Sequence, residues 1–145
     1  MITIRKSTAS DGDRVLSIWR ASVDATHDFL SHHDRQEIEK MLHGFLPSAP
    51  LLLAVDPSQG TVGFMLVANG HLEALFVHPA CFGAGVGRQL VEHALALHPG
   101  LTTDVNEQNS KALGFYQRLG FVQTGRSEID GQGRPYPLIH LKHRL

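Results

Sequence analysis

Three glycines within five positions, directly after an apolar run and directly before an amphipathic one, constrain this chain more than any other feature. The stretch reads Leu75-Phe76-Val77-His78-Pro79-Ala80-Cys81-Phe82-Gly83-Ala84-Gly85-Val86-Gly87-Arg88. A strand ends near Pro79, and Val86, Leu90, Val91, Ala94, Leu95 and Leu97 then recur at helical spacing. Such a junction aims the first N–H groups of a helix and its dipole at whatever sits in the loop, and small residues let an anion come close. A phosphate or pyrophosphate fits it; a tight turn that needs glycine for conformation alone fits it too. Two common phosphate loops do not match. No lysine stands where a nucleotide-triphosphate loop needs one, and Arg88 takes the place of the dinucleotide fingerprint's third glycine. Asp104 stands about where that fingerprint wants its acid, but too little chain follows for the two halves of that fold.

At 145 residues with 42% hydrophobic and 19% charged, the chain reads as one globular domain over 1–145. A chain of this size buries enough surface to need no cross-link. Cys81, the single cysteine, allows neither an intramolecular disulfide nor a cysteine zinc site. The apolar run Leu51 to Val55 is far too short to span a bilayer, and the start turns polar at once, so a cytoplasmic protein without a membrane partner is expected. A net charge of −1 with interspersed signs points away from nucleic acid. The ten histidines do not converge on a metal: His93 and His98 diverge on a helix, His140 and His143 on a strand. Mostly solvated histidines and no metal are expected.

Periodicity and turn residues predict the order β-α-α-β-β-β-α-β-α-β-β, a mixed α/β sheet with helices on both faces. Ser10 and Asp13 resemble a capping box ahead of Val15, Ile18, Trp19 and Val23. Ile38, Met41, Leu42 and Phe45 form the expected buried stripe of a second helix. Asn69-Gly70 predicts a two-residue hairpin between Val62–Ala68 and His71–Val77. The remaining elements are strands over Leu101–Val105, Phe121–Glu128 and about Tyr136–Leu141, and a helix over Asn109–Leu119.

Phe82-Gly83-Ala84-Gly85-Val86-Gly87 resembles the acyl-CoA-binding signature [QR]-x-x-G-x-[GA] of the GNAT acetyltransferase superfamily. Asn109-x-x-Ala112-x-x-Phe115-Tyr116-x-x-x-Gly120-Phe121 matches its later motif at every spacing. With the helical front half, the likeness covers nearly the whole chain. Trp19-x-x-Ser22-Val23-Asp24-Ala25-Thr26-His27-Asp28-Phe29-Leu30 further resembles small stand-alone bacterial members. Phe82 departs from the usual Gln or Arg, so a side-chain contact to a CoA phosphate is absent there while main-chain contacts are kept.

The resemblance implies a GNAT fold and transfer of acetyl from acetyl-CoA to a primary amine by direct attack. It assigns the pantetheine arm to the backbone of Leu75, Phe76 and Val77, and the pyrophosphate to Gly83, Ala84, Gly85, Val86, Gly87 and Arg88. Tyr116 corresponds to the acid that protonates the departing thiolate, against the alternative of an amphipathic residue with a packed ring and a wet hydroxyl. Asn109 would cap its helix, touch the pantetheine amide, or both. Glu73 reads as a base through water, and equally as a solvated strand residue; His71 shares its face. His27 and Phe29 fall in the helix–helix loop that lines acceptor sites, although such a histidine also reads as a loop or cap residue. The acceptor is a small-molecule or peptide amine, the protein a monomer or homodimer. The rival is a CoA-binding or sensing module without turnover.

Overall fold

The computed structural model describes residues 1–26 and 29–144. Its elements follow the expected order: β1 (Thr3–Lys6), α1 (Gly12–Thr26), α2 (His32–Phe45), β2 (Leu52–Asp56), β3 (Gly60–Ala68), β4 (His71–Val77), α3 (Val86–Leu97), β5 (Thr102–Asn106), α4 (Ser110–Arg118), β6 (Phe121–Ser127) and β7 (Leu138–His143). They fall into two compact units, Met1–Leu66 with Ala74–Val91, and Val67–Glu73 with Glu92–Leu145.

In the first unit the strand order is β1-β2-β3-β4, with β1, β2 and β3 antiparallel. Its core packs Val15, Ile18, Trp19 and Val23 of α1 against Leu51, Leu53 and Phe64. The α1 stripe is therefore as expected. The α2 stripe is not: Ile38 and Leu42 pack on this core, whereas Met41 and Phe45 are 48% and 46% exposed. The helix lays only one edge of its apolar face down, and Leu46 in the following turn fills the core instead. Ser31 caps α2 by accepting the Asp34 N–H. The box at the chain's first helical segment forms two residues earlier than predicted. Asp11 accepts the Thr8 N–H at 2.8 Å, one short 3-10 turn ahead of α1. The Arg5 guanidinium and that N–H hold the Asp11 carboxyl down at about 2.

In the second unit the order is β4-β5-β7-β6, with β5 antiparallel to β7 and β7 to β6. Leu72, Thr103, Val105, Ile139 and Leu141 line its buried side. Asn69 and Gly70 both take positive φ, 52° and 74°, as the hairpin needs. The last strand starts two residues later than predicted and runs to His143. His140 and His143 point to opposite sides, toward Asp104 and toward the Leu119 carbonyl. Among the described residues no helix is long and apolar enough to cross a membrane.

Candidate active site

The first unit presents β4's later residues and the glycine loop. Leu75, Phe76 and Val77 are half-buried. The parallel register of β4 with β5 consists of His71↔Thr102 and Leu72↔Thr103, so it ends before these residues are reached. After a 3-10 turn over Pro79–Cys81, the backbone takes positive φ at Gly83 (81°) and Gly85 (83°). Among the described residues, chain neighbours aside, no atom lies within 4 Å of a Cβ built at either, so the glycines answer to conformation rather than to space. The ladder of α3 opens with Gln89 N–H on Gly85 O at 3.0 Å, which leaves the Val86 and Gly87 amides ahead of it in the first turn. Phe82, Gly83, Ala84, Gly85 and Arg88 are exposed, and Val86 is buried. Cys81 is buried with its thiol 3.7 Å from Gln59 Oε1.

A residue the sequence did not single out sets how α3 enters. A Cβ at Gly63 would stand 3.1 Å from Val86 Cγ1 and 3.2 Å from the Phe76 carbonyl. A side chain there would push the helix start or the Phe76 carbonyl back by a few tenths of an ångström. Nothing in the local sequence of β3 signals it, because the neighbours come from remote segments.

The second unit carries Tyr116, Asn109, His71 and Glu73. Asn109 caps α4, accepting the Ala112 N–H at 3.1 Å, as predicted. Tyr116 is 7% exposed, its ring edge-on to Phe115 and Phe121 at 5.1 and 5.3 Å. The wet hydroxyl considered for it is thus excluded: the phenol bonds to Thr103, whose hydroxyl donates to the Leu72 carbonyl at 2.9 Å. Burial drives the phenol well above its ordinary range, and the Thr103 bond opposes this in part. Tyr116 is therefore neutral and proton-bearing at physiological pH.

Glu73 is exposed and His71 half-buried. None of the described histidines is buried, as the solvated picture expects, but several of them also bond to the protein. His71 bonds to Thr102, His140 to Asp104 and Ser127, and His143 to Leu119 O. Among the described residues no group of three or more potential ligands gathers for a metal ion. Phe29 is half-buried beyond α1. His27 lies outside the described residues.

The profile of the acetyltransferase (GNAT) domain family matches residues 18–136. The chain is 55% identical to peptidyl-lysine N-acetyltransferase YjaB of Salmonella typhimurium, over 97% of each chain. It is 53% identical to the Escherichia coli K12 protein of the same name, over 99% of this chain and 97% of that one. The solution structure of apo YjaB from Escherichia coli superposes with a TM-score of 0.94, at 53% identity over 99% and 97% of the two chains. The fold also matches PaiA N-acetyltransferase of Thermoplasma acidophilum in complex with coenzyme A, TM-score 0.74 at 22% identity over 99% of both.

Proposed function

The chain belongs to the GNAT acetyltransferase family and is an acetyl-CoA-dependent N-acetyltransferase, and from that premise we propose that its acceptor is the ε-amine of a lysine in a polypeptide. The single observation behind the acceptor is the near full-length identity to enzymes named for that activity. No observation favours a CoA-binding module without turnover. We take the chain to act as one domain in the cytoplasm.

Acetyl-CoA supplies an acetyl group activated as a thioester. The residues present suit it. The first-turn amides of α3 and the left-handed Gly83 and Gly85 form a cradle open to an anion. Leu75, Phe76 and Val77 lie on β4 beyond its recorded pairs His71↔Thr102 and Leu72↔Thr103, as main-chain pairing with an added, strand-like arm requires. Gly83 through Arg88 would then hold the pyrophosphate, and Leu75, Phe76 and Val77 the pantetheine, with an N–H near Leu75 or Phe76 polarising the carbonyl. Exposed Phe82 adds no polar contact.

Tyr116 serves as the acid. Its phenol keeps its proton through the whole physiological range and donates it to Thr103 at rest, so the bond holds the phenol oxygen in place and the O–H turns from Thr103 to the departing sulfur. Asn109 holds the first turn of the helix that carries it. Glu73 takes the acceptor's proton through water, and His71 and Phe29 contact the acceptor, a role we extend to His27. The deciding assay offers acetyl-CoA with peptides that are N-terminally blocked and carry one lysine, beside unblocked lysine-free ones. Acetylation of the first set alone is expected; acetylation of the second set alone would overturn the lysine reading.

A further inference from the structure

Five side chains of the second unit line up across the polar side of β4, β5, β7 and β6, joined by three hydrogen bonds and by a 3.4 Å approach of His71 to Asp104. His71 Nδ1 lies 2.7 Å from Thr102 Oγ1, and its Nε2 lies 3.4 Å from Asp104 Oδ2. The other Asp104 oxygen lies 2.6 Å from His140 Nδ1, and His140 Nε2 lies 2.6 Å from Ser127 Oγ. Strand register makes the line: His71 is opposite Thr102, and Asp104 opposite His140. The side chains of His71, Asp104 and His140 are 27%, 35% and 34% exposed, so solvent reaches all three. Two other charged groups share this side, Glu73 of β4 and Lys142 of β7, the latter opposite Thr102.

One carboxylate thus sits between two imidazoles. With both rings neutral, His140 Nδ1–H donates to Asp104 and His71 Nε2 faces the other carboxylate oxygen at 3.4 Å, while the Thr102 and Ser127 hydroxyls donate to the remaining ring nitrogens. A proton added to either ring reverses only the hydroxyl beside it. Thr102 Oγ1 then accepts from His71 and donates to the Gly70 carbonyl, 3.5 Å away. At the His71 end the line takes up a proton without stranding a polar atom, and the Asp104 carboxylate lies 3.4 Å from the ring that receives it. Glu73 stands two residues from His71 on the same side of one strand, a backbone spacing of about 7 Å that leaves room for water between the two side chains.

We infer that this line stores the proton shed by the acceptor amine: Glu73 draws it off through water, His71 receives it, and Asp104 and His140 are positioning residues that fix the tautomer and charge of His71. The inference rests on the amine-acetylation reading above. The acceptor ammonium first gives one proton by way of Glu73 to His71. The neutral amine then forms the N–C bond as the C–S bond breaks, the attacking nitrogen's surplus proton leaves to water, and sulfur takes the Tyr116 proton. Release of the His71 proton to water, and recovery of one by Tyr116, closes the cycle.

The test is the pH profile of kcat/KM for a blocked single-lysine peptide, with the full chain, in wild type, Asp104→Asn, His71→Gln and Glu73→Gln. Imidazole titrations by NMR accompany it. Asp104→Asn and His71→Gln are expected to lower kcat/KM about ten-fold or more near neutral pH. The loss should shrink at alkaline pH, where the amine is already neutral, with KM for acetyl-CoA unchanged and partial rescue in Asp104→Glu. The imidazole nitrogen signals should show the His140 tautomer that bonds to Asp104 in wild type and a change of tautomer in Asp104→Asn. Wild-type profiles for both Asp104→Asn and His71→Gln would overturn the relay; a loss confined to Glu73→Gln would do so too and leave the acetyltransferase reading intact. If the peptide is not acetylated while another amine is, the lysine reading fails, and the same profile on that amine decides the relay.

Discussion

Tyr116 hands its hydroxyl to Thr103, and Thr103 passes its own on to the Leu72 carbonyl at 2.9 Å. The phenol therefore donates to Thr103, which fixes the position of its oxygen, and the O–H has to turn from Thr103 toward the thiolate to act as the acid. Tyr116→Phe should lower kcat by about 10²–10⁴-fold, the usual worth of a positioned acid. Acetyl-CoA affinity, read by calorimetry, should stay nearly intact. Thr103→Val keeps the shape and removes the partner, so kcat should fall by about ten-fold, the worth of roughly one hydrogen bond. Unchanged turnover in Tyr116→Phe would remove the acid assignment.

Gly85→Ala puts a side chain on a backbone at φ 83° with no neighbour to clash, so strain alone is tested. A cost of about 1–2 kcal/mol in stability is expected. The loop should relax toward negative φ, raising KM for acetyl-CoA while kcat at saturation changes little. An unaltered KM would separate the loop from cofactor binding.

Asn109→Ala removes the side-chain acceptor of the Ala112 N–H. Urea unfolding should show a loss of about 1 kcal/mol. Fraying of α4's first turn should also reach Tyr116, so kcat should drop several-fold with KM for acetyl-CoA nearly constant. Asn109→Asp, which keeps the cap, should restore both.

Asp11 titrates lower folded than unfolded, chiefly through Arg5 and next through the Thr8 amide. Its contribution is therefore complete above the unfolded carboxylate range, about pH 4. It is lost as pH falls toward about 2, the folded value. Asp11→Asn should lower the melting temperature at neutral pH, and the gap to wild type should close across that acid window. A gap independent of pH would mean that packing, not charge, accounts for the change.

The sequence disclosed what rests on near neighbours along the chain. The glycine loop, the Asn69-Gly70 turn and the Asn109 cap are local events, and each forms where its residues predict. The element order followed because each stripe or alternation sits within one element. What stayed hidden depends on register. His71 and Thr102 are 31 positions apart and Asp104 and His140 are 36, and no local pattern says which rungs of a sheet align. The alternation Thr102, Asp104, Asn106 on β5 was the available hint that one side of that strand is polar. Met41 and Phe45 misled for the converse reason: periodicity gives a helix its apolar face but not how much of that face the rest of the fold covers. The start of the first helical segment slipped to Thr8 because Arg5 on β1 completes the Asp11 carboxylate, a partner outside the capping window.

The left-handed loop has a stereochemical corollary. Gly83 and Gly85 occupy the region of φ that mirror-image amino acids prefer, and a Cβ at either would meet nothing within 4 Å. In a chemically synthesised chain, D-alanine at these two places should therefore stiffen the loop where L-alanine deforms it. Handedness rather than bulk is what the protein selects for there.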